Sequence, residues 1–126
     1  MDKFADLAGR FLLGGIFAMA GFNKIGAGYA GTAGYMDSMG VPGGLLPVVI
    51  ALEIVAGVMV IVGFKVKYAA YALAAFTIVA GAIFHSDFAN QMQSIMFMKN
   101  LAITGGLLLL AVNGSGTLSL DKKLSK

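Results

Sequence analysis

A handful of residues in this chain have types suited to chemistry and positions that are hard to explain by solubility. Glu53 lies in the middle of the apolar run "VPGGLLPVVIALEIVAGVMVIVGF". Lys99 and Asn100 interrupt "SIMFMKNLAITGGLLLLAVNG" about a turn inside its start. Lys24 closes "FAMAGFNKI", His85 follows "GAIF", and Arg10 stands near the beginning of the first apolar stretch. A carboxylate in the middle of a hydrocarbon-length segment has to be paired, hydrated in a cavity or protonated. Placed so, it can take up and release protons. The ammonium, amide and imidazole groups are donors that suit a carbonyl or an oxyanion. We therefore take Glu53 as the candidate catalytic, proton-handling residue and Lys24, His85, Lys99 and Asn100 as candidate ligand-binding residues. Arg10 is read as structural or anchoring. Each has a plainer alternative: a structural hydrogen bond between helices for Glu53, an interfacial position for His85, and a lysine reaching back to water for Lys99.

Composition sets the medium in which these groups sit. Of 126 residues, 59% are hydrophobic and only 12% charged, with a mean hydropathy of +0.87. A soluble domain carries roughly twice that charged fraction, so the expected surroundings are a lipid bilayer. The formal charge of +3 is clustered at segment ends. No basic stripe with interleaved aromatics is present, which argues against a nucleic-acid partner. With no cysteine and one histidine, cysteine-ligated iron–sulfur clusters, attached c-type haem, bis-histidine haem within one chain and dithiol exchange are excluded for this chain alone. No metal site is expected. Redox chemistry would need a bound organic cofactor, a bound metal or a partner.

Four apolar segments are expected to hold the polar groups, at about 7–25, 43–63, 67–85 and 95–113. Each has the length that crosses about 30 Å of hydrocarbon at 1.5 Å per residue. The fold expected is all-α: one transmembrane domain over residues 1–126, built as a four-helix bundle. "AMA" at 18–20 resembles a signal cleavage site, but "MDKFAD" carries no net positive charge, so the first segment is read as a retained span. Pro47 falls in the first turn or so of the second segment, where its missing N–H costs little. The short link "GFKVK" makes the second and third segments antiparallel neighbours. Lys3, Arg10, Lys65, Lys67, Lys122, Lys123 and Lys126 fall on one side, against Lys24 and Lys99 on the other. The positive-inside rule then predicts both termini in the cytoplasm.

Two outward loops follow. In "GAGYAGTAGYMDSMGVP", Thr32 is expected to cap a short helix carrying Tyr35, Met36 and Met39, ended by Gly40 and Pro42. In "HSDFANQMQSIM", Phe88, Met92 and Ile95 share one side at helical spacing. These stretches are interfacial amphipathic turns or a lid over a pocket at the outer membrane face.

Spacing also says which way the charges face. Arg10, Gly14, Ala18, Gly21 and Lys24 form one stripe. Glu53 shares a face with Ala56 and Gly57, His85 with Gly81 and Ala74, and Lys99 with Ala102 and Gly106. Small residues let membrane helices approach closely, so these faces are expected to point into the bundle. Side chains lean toward the N-terminus of their own helix. Glu53 then leans outward, toward the level of Lys99, which lies roughly 7 Å outside the midpoint of its segment. A Glu53–Lys99 pair is the expectation, closed directly or through Asn100, His85 or water.

Three stretches carry a resemblance to a known family: "GRFLLGGIFAMAGFNKI", "GVPGGLLPVVIALEIVAGVMVIVGF" and "FMKNLAITGGLLLLAVNGSGTLSLD". Over about residues 8–121 the chain resembles the DoxX family and is DoxD-like. The resemblance implies a small four-helix membrane protein of the bacterial cytoplasmic (inner) membrane, with an oxidoreductase label. That label derives largely from relatives: the membrane subunit of a thiosulfate:quinone oxidoreductase, and a membrane complex with a superoxide dismutase and a thiosulfate sulfurtransferase. Arg10, Lys24, Glu53, Lys99 and Asn100 are the matched positions. Three functions are weighed on this basis. The first is a quinone-linked redox subunit, with a quinone as the implied cofactor and a membrane redox complex or a homo-oligomer as its setting. The second is a non-enzymatic scaffold or accessory subunit of such a complex. The third is a small transporter, which the lack of an inverted repeat or a broken-helix pair disfavours.

Overall fold

The computed structural model describes residues 2–84, 87–114 and 118–124. Its order is α1 (Asp2–Asn23), α2 (Ala27–Ser38), a 3₁₀ turn (Gly43–Leu45) leading into α3 (Leu46–Val62), then α4 (Val66–Phe84), α5 (Gln91–Asn113) and α6 (Leu120–Leu124). Four of these are long and apolar enough to span a membrane: Lys3–Asn23, Gly43–Val62, Val66–Phe84 and Gln91–Asn113. The fold is an all-α integral membrane four-helix bundle. Large apolar side chains such as Phe11, Met19, Val55, Leu109 and Val112 cover its outside, as expected where the surroundings are lipid rather than water.

Two helix pairs dominate the packing, α1 with α3 and α4 with α5. Small residues make the first possible. A Cβ placed on Gly57 would lie 2.7 Å from the Gly14 carbonyl oxygen and 2.8 Å from the Ala18 nitrogen. No side chain fits there, so the two backbones touch. Between α4 and α5, Gly81 makes room for Asn100, whose Nδ2 would stand 3.0 Å from an added Cβ. The apolar core runs through Phe17, Val60, Leu73, Ala74, Leu107 and Ala111.

One end of the bundle is tied by polar contacts. Arg10 is 1% exposed. Its guanidinium donates to Asp6 Oδ2 at 2.9 Å, to the carbonyls of Val60 (3.2 Å) and Ile61 (2.8 Å), and to the Leu118 carbonyl. It thus joins α1, the end of α3 and the C-terminal segment. Asp121 accepts from the Lys65 and Val66 backbone N–H groups at 2.6 and 3.0 Å. A carboxylate from the tail therefore satisfies the free donors at the start of α4 and complements its dipole. Gly63 turns at φ 74° against Arg10 and Ser119, where a side chain would both strain the backbone and collide. The start of α1, the α3–α4 turn and the tail consequently lie at the same end.

The loops depart from expectation. Thr32 does not cap α2. The helix starts after Gly26, a turn and a half earlier, and the Thr32 hydroxyl donates to the Gly28 carbonyl at 2.8 Å. At its far end Asp37 Oδ1 accepts from the Gly43 N–H at 2.7 Å, pinning α2 to the entry of α3. The segment around Met92 is no separate amphipathic turn. Asn90 caps α5, accepting from Met92 and Gln93, and the helix begins at Gln91.

Candidate functional site

Glu53 is 4% exposed, in the middle of α3, and its partner is Lys24. The Lys24 Nζ donates to Glu53 Oε1 at 2.8 Å and to the Ala20 carbonyl at 3.2 Å. The close α1–α3 approach sets this geometry. Gly21, one turn before Lys24, lies directly against Glu53: a Cβ there would be 3.0 Å from Glu53 Cβ. The two helices run antiparallel and side chains lean toward their own N-terminus, so Lys24 and Glu53 lean toward each other from opposite directions.

The expected Glu53–Lys99 pair does not form. Lys99 is exposed, as is Ala102. The face of α5 that turns inward carries Asn100, Thr104, Leu107 and Ala111, one residue around from the small-residue stripe. Asn100 Nδ2 donates to the Thr77 carbonyl of α4 at 3.3 Å, and the Thr104 hydroxyl donates to the Asn100 carbonyl at 2.7 Å. Two polar residues that bond within the bundle outweigh small size alone in choosing the buried face. His85 lies outside the described residues. Arg10 belongs to the other end of the bundle and to its structure.

Lys24, Glu53, Asn100 and the buried Thr77 converge on a cavity of about 450 Å³. Its walls come from α1 (Ile16, Phe17, Ala20), α3 (Leu46, Val49), α4 (Phe76, Ala80, Phe84) and α5 (Met96, Ile103). Thr32, Tyr35 and Met36 of α2 roof it. The Tyr35 and Phe84 rings, with centroids 5.5 Å apart, hold α2 against the C-terminal end of α4. Lys99 does not line this space. Thr77 and Thr32 do: Thr77 carries no expectation from the sequence, and Thr32 enters it only as a helix cap. The signal for Thr77 was its place one turn from Gly81 on the small-residue face of α4.

The polar inventory is small and directional. Lys24 has three N–H donors, of which two are used, and Asn100 Nδ2 has a second hydrogen. Among the described residues the Lys24 bond to Oε1 is the one polar contact of the Glu53 carboxylate, which leaves Oε2 to the cavity. The site is a largely apolar pocket within the size range of small-molecule sites, bordered by donors and one carboxylate.

A four-helix membrane bundle with an ion pair between its first two spans defines the class. The DoxX family model matches residues 5–86, and the chain belongs to the DoxX family. It is 48% identical to the inner membrane protein YqjF of Escherichia coli K12, over all of this chain and 98% of that protein. It is 35% identical to the inner membrane protein YphA of the same organism, over 86% of this chain and 81% of that one. No solved structure matches.

Proposed function

We propose that this protein is a quinone-linked subunit of an inner-membrane redox complex, and that the cavity receives the quinone head group. The observation that carries the reading is the cavity itself. A pairing that served helix packing alone would be closed over, yet Lys24, Glu53, Thr77 and Asn100 border about 450 Å³ of otherwise apolar space. A quinone ring is flat and apolar with carbonyls that need donors, and the spare N–H groups of Lys24 and Asn100 supply them. Reduction of a quinone takes up electrons and protons in equal number. Glu53 Oε2 is positioned to hand on the protons, with Lys24 stabilising the carboxylate between transfers. The apolar walls keep bulk water from the exchange. With no cysteine and a single histidine in the chain, the electrons come from a partner subunit or a soluble reductant.

The setting follows from the relatives and the charge pattern. Both relatives are named inner membrane proteins, and the excess of lysine and arginine at the Arg10 end supports an orientation with both termini in the cytoplasm. The cavity then opens toward the outer leaflet.

The test is extraction in mild detergent followed by mass spectrometry of co-purified lipids and a thermal-shift titration with decylubiquinone. Quinone carried through purification, or a saturable stabilisation, supports the reading. Absence of both rejects it in favour of a non-enzymatic scaffold.

A further inference from the structure

The cavity is not the end of the apolar space. A second hollow, of about 390 Å³, lies between α3 and α4 on the lipid side. Met36, Val49, Phe76, Ala80 and Phe84 line both spaces, so the two adjoin along these side chains. The second is lined by apolar residues throughout. Its origin is the splay of α3 and α4. The tight turn at Gly63–Lys65 holds them together at the Arg10 end, but along their length they touch far less than α1 with α3 or α4 with α5. Ala72 and Ala75 keep the α4 side low, and the groove follows α4 from Ala72 to Ile83, roughly 17 Å at 1.5 Å per residue.

We infer that this groove holds the hydrocarbon tail of the ligand whose head group occupies the cavity, so that the protein takes a long-tailed membrane lipid of the quinone class from the bilayer between α3 and α4. The inference rests on the head-group reading above. Its own support is the shared wall. A molecule with a polar ring at Lys24 and Asn100 and a flexible apolar chain meets donors in one compartment and only hydrocarbon in the next. An ordinary soluble substrate has no use for the second compartment, and a partner helix would not need it to adjoin the first. Phe76, in both walls, stands where ring and tail would join.

The experiment compares two probes on purified protein in detergent micelles: decylubiquinone, and its tail-less counterpart dimethoxymethylbenzoquinone. Ala75→Phe and Ala72→Phe fill the groove without touching the cavity lining. Ala102→Phe adds the same bulk to another exposed face, on α5. The expected result is that both groove variants weaken decylubiquinone at least about tenfold, leave the tail-less probe unchanged, and are not matched by Ala102→Phe. Ala72→Phe carries the test alone if Ala75→Phe does not accumulate. Equal binding of decylubiquinone to wild type and groove variants overturns the tail groove while leaving the head-group site standing. So does equal loss of both probes in the groove variants. Failure of wild type to bind either probe overturns both readings together.

Discussion

Lys24 Nζ and Glu53 Oε1 are 2.8 Å apart, an ion pair between antiparallel helices with one wall of a cavity built on it. The carboxylate is nearly fully buried and the ammonium about a quarter exposed. Neither is paired by accident of flexibility, because Gly21 against Glu53 fixes the spacing of α1 and α3 at that level.

Removing one partner should therefore hurt more than removing both. Lys24→Met leaves a carboxylate buried without its counter-charge, at a cost of about 2–4 kcal/mol. The double variant Lys24→Met with Glu53→Gln should recover most of that stability. Thermal unfolding in detergent across the full mutant cycle measures it. Additive losses would mean that the two side chains do not interact.

Much of this was readable from residue order. The four spans, the small-residue contact of α1 with α3, and the burial of Glu53 follow from hydropathy and from the stripe Gly14, Ala18, Gly21. The Glu53–Lys99 expectation fails because the N-terminal lean of side chains, taken for both candidate partners, favours Lys24: on the antiparallel α1 it leans toward Glu53, whereas Lys99 on α5 leans toward the start of its own helix. A pocket beneath the 26–42 segment is an expectation of the sequence, but its size and most of its walls are not legible there. Its volume depends on how far α3 and α4 splay, which is a property of the assembled bundle rather than of any one segment.

The α1–α3 contact predicts a sharp contrast between two glycines of these helices. Gly57→Val forces α1 away from α3, since the obstacles are backbone atoms of Gly14 and Ala18. A loss of about 1–3 kcal/mol is expected, with the Lys24–Glu53 pair disturbed as well. Gly15, next to Gly14, has nothing within 4 Å of an added Cβ, so Gly15→Val should be nearly silent. Paired melting curves test this, and equal losses would refute the close α1–α3 contact.

Arg10 should behave as a structural bolt and not as a loose surface anchor. Arg10→Ala removes a donor from the Val60, Ile61 and Leu118 carbonyls and from Asp6, a loss of about 3 kcal/mol or more. Arg10→Lys keeps the charge but not the fork of donors, and should restore under half of it. Limited proteolysis of the tail beyond Leu118 offers an independent readout, with faster cleavage expected in both variants.

Orientation has its own check. Green fluorescent protein fused after Lys126 should fluoresce, and alkaline phosphatase at the same position should be inactive. A phosphatase inserted in the 26–42 loop should be active. The reverse pattern would place the cavity mouth at the cytoplasmic leaflet and undo the outward opening of the site.

The central claim is that the Lys24–Glu53 cavity holds a quinone head group, and photolabelling of the purified protein with an azidoquinone tests it most directly. Label should fall on cavity residues such as Phe17, Phe76, Thr77 and Asn100, and excess decylubiquinone should suppress it. Label spread over lipid-facing residues such as Leu109 and Val112, undiminished by competitor, would contradict the account.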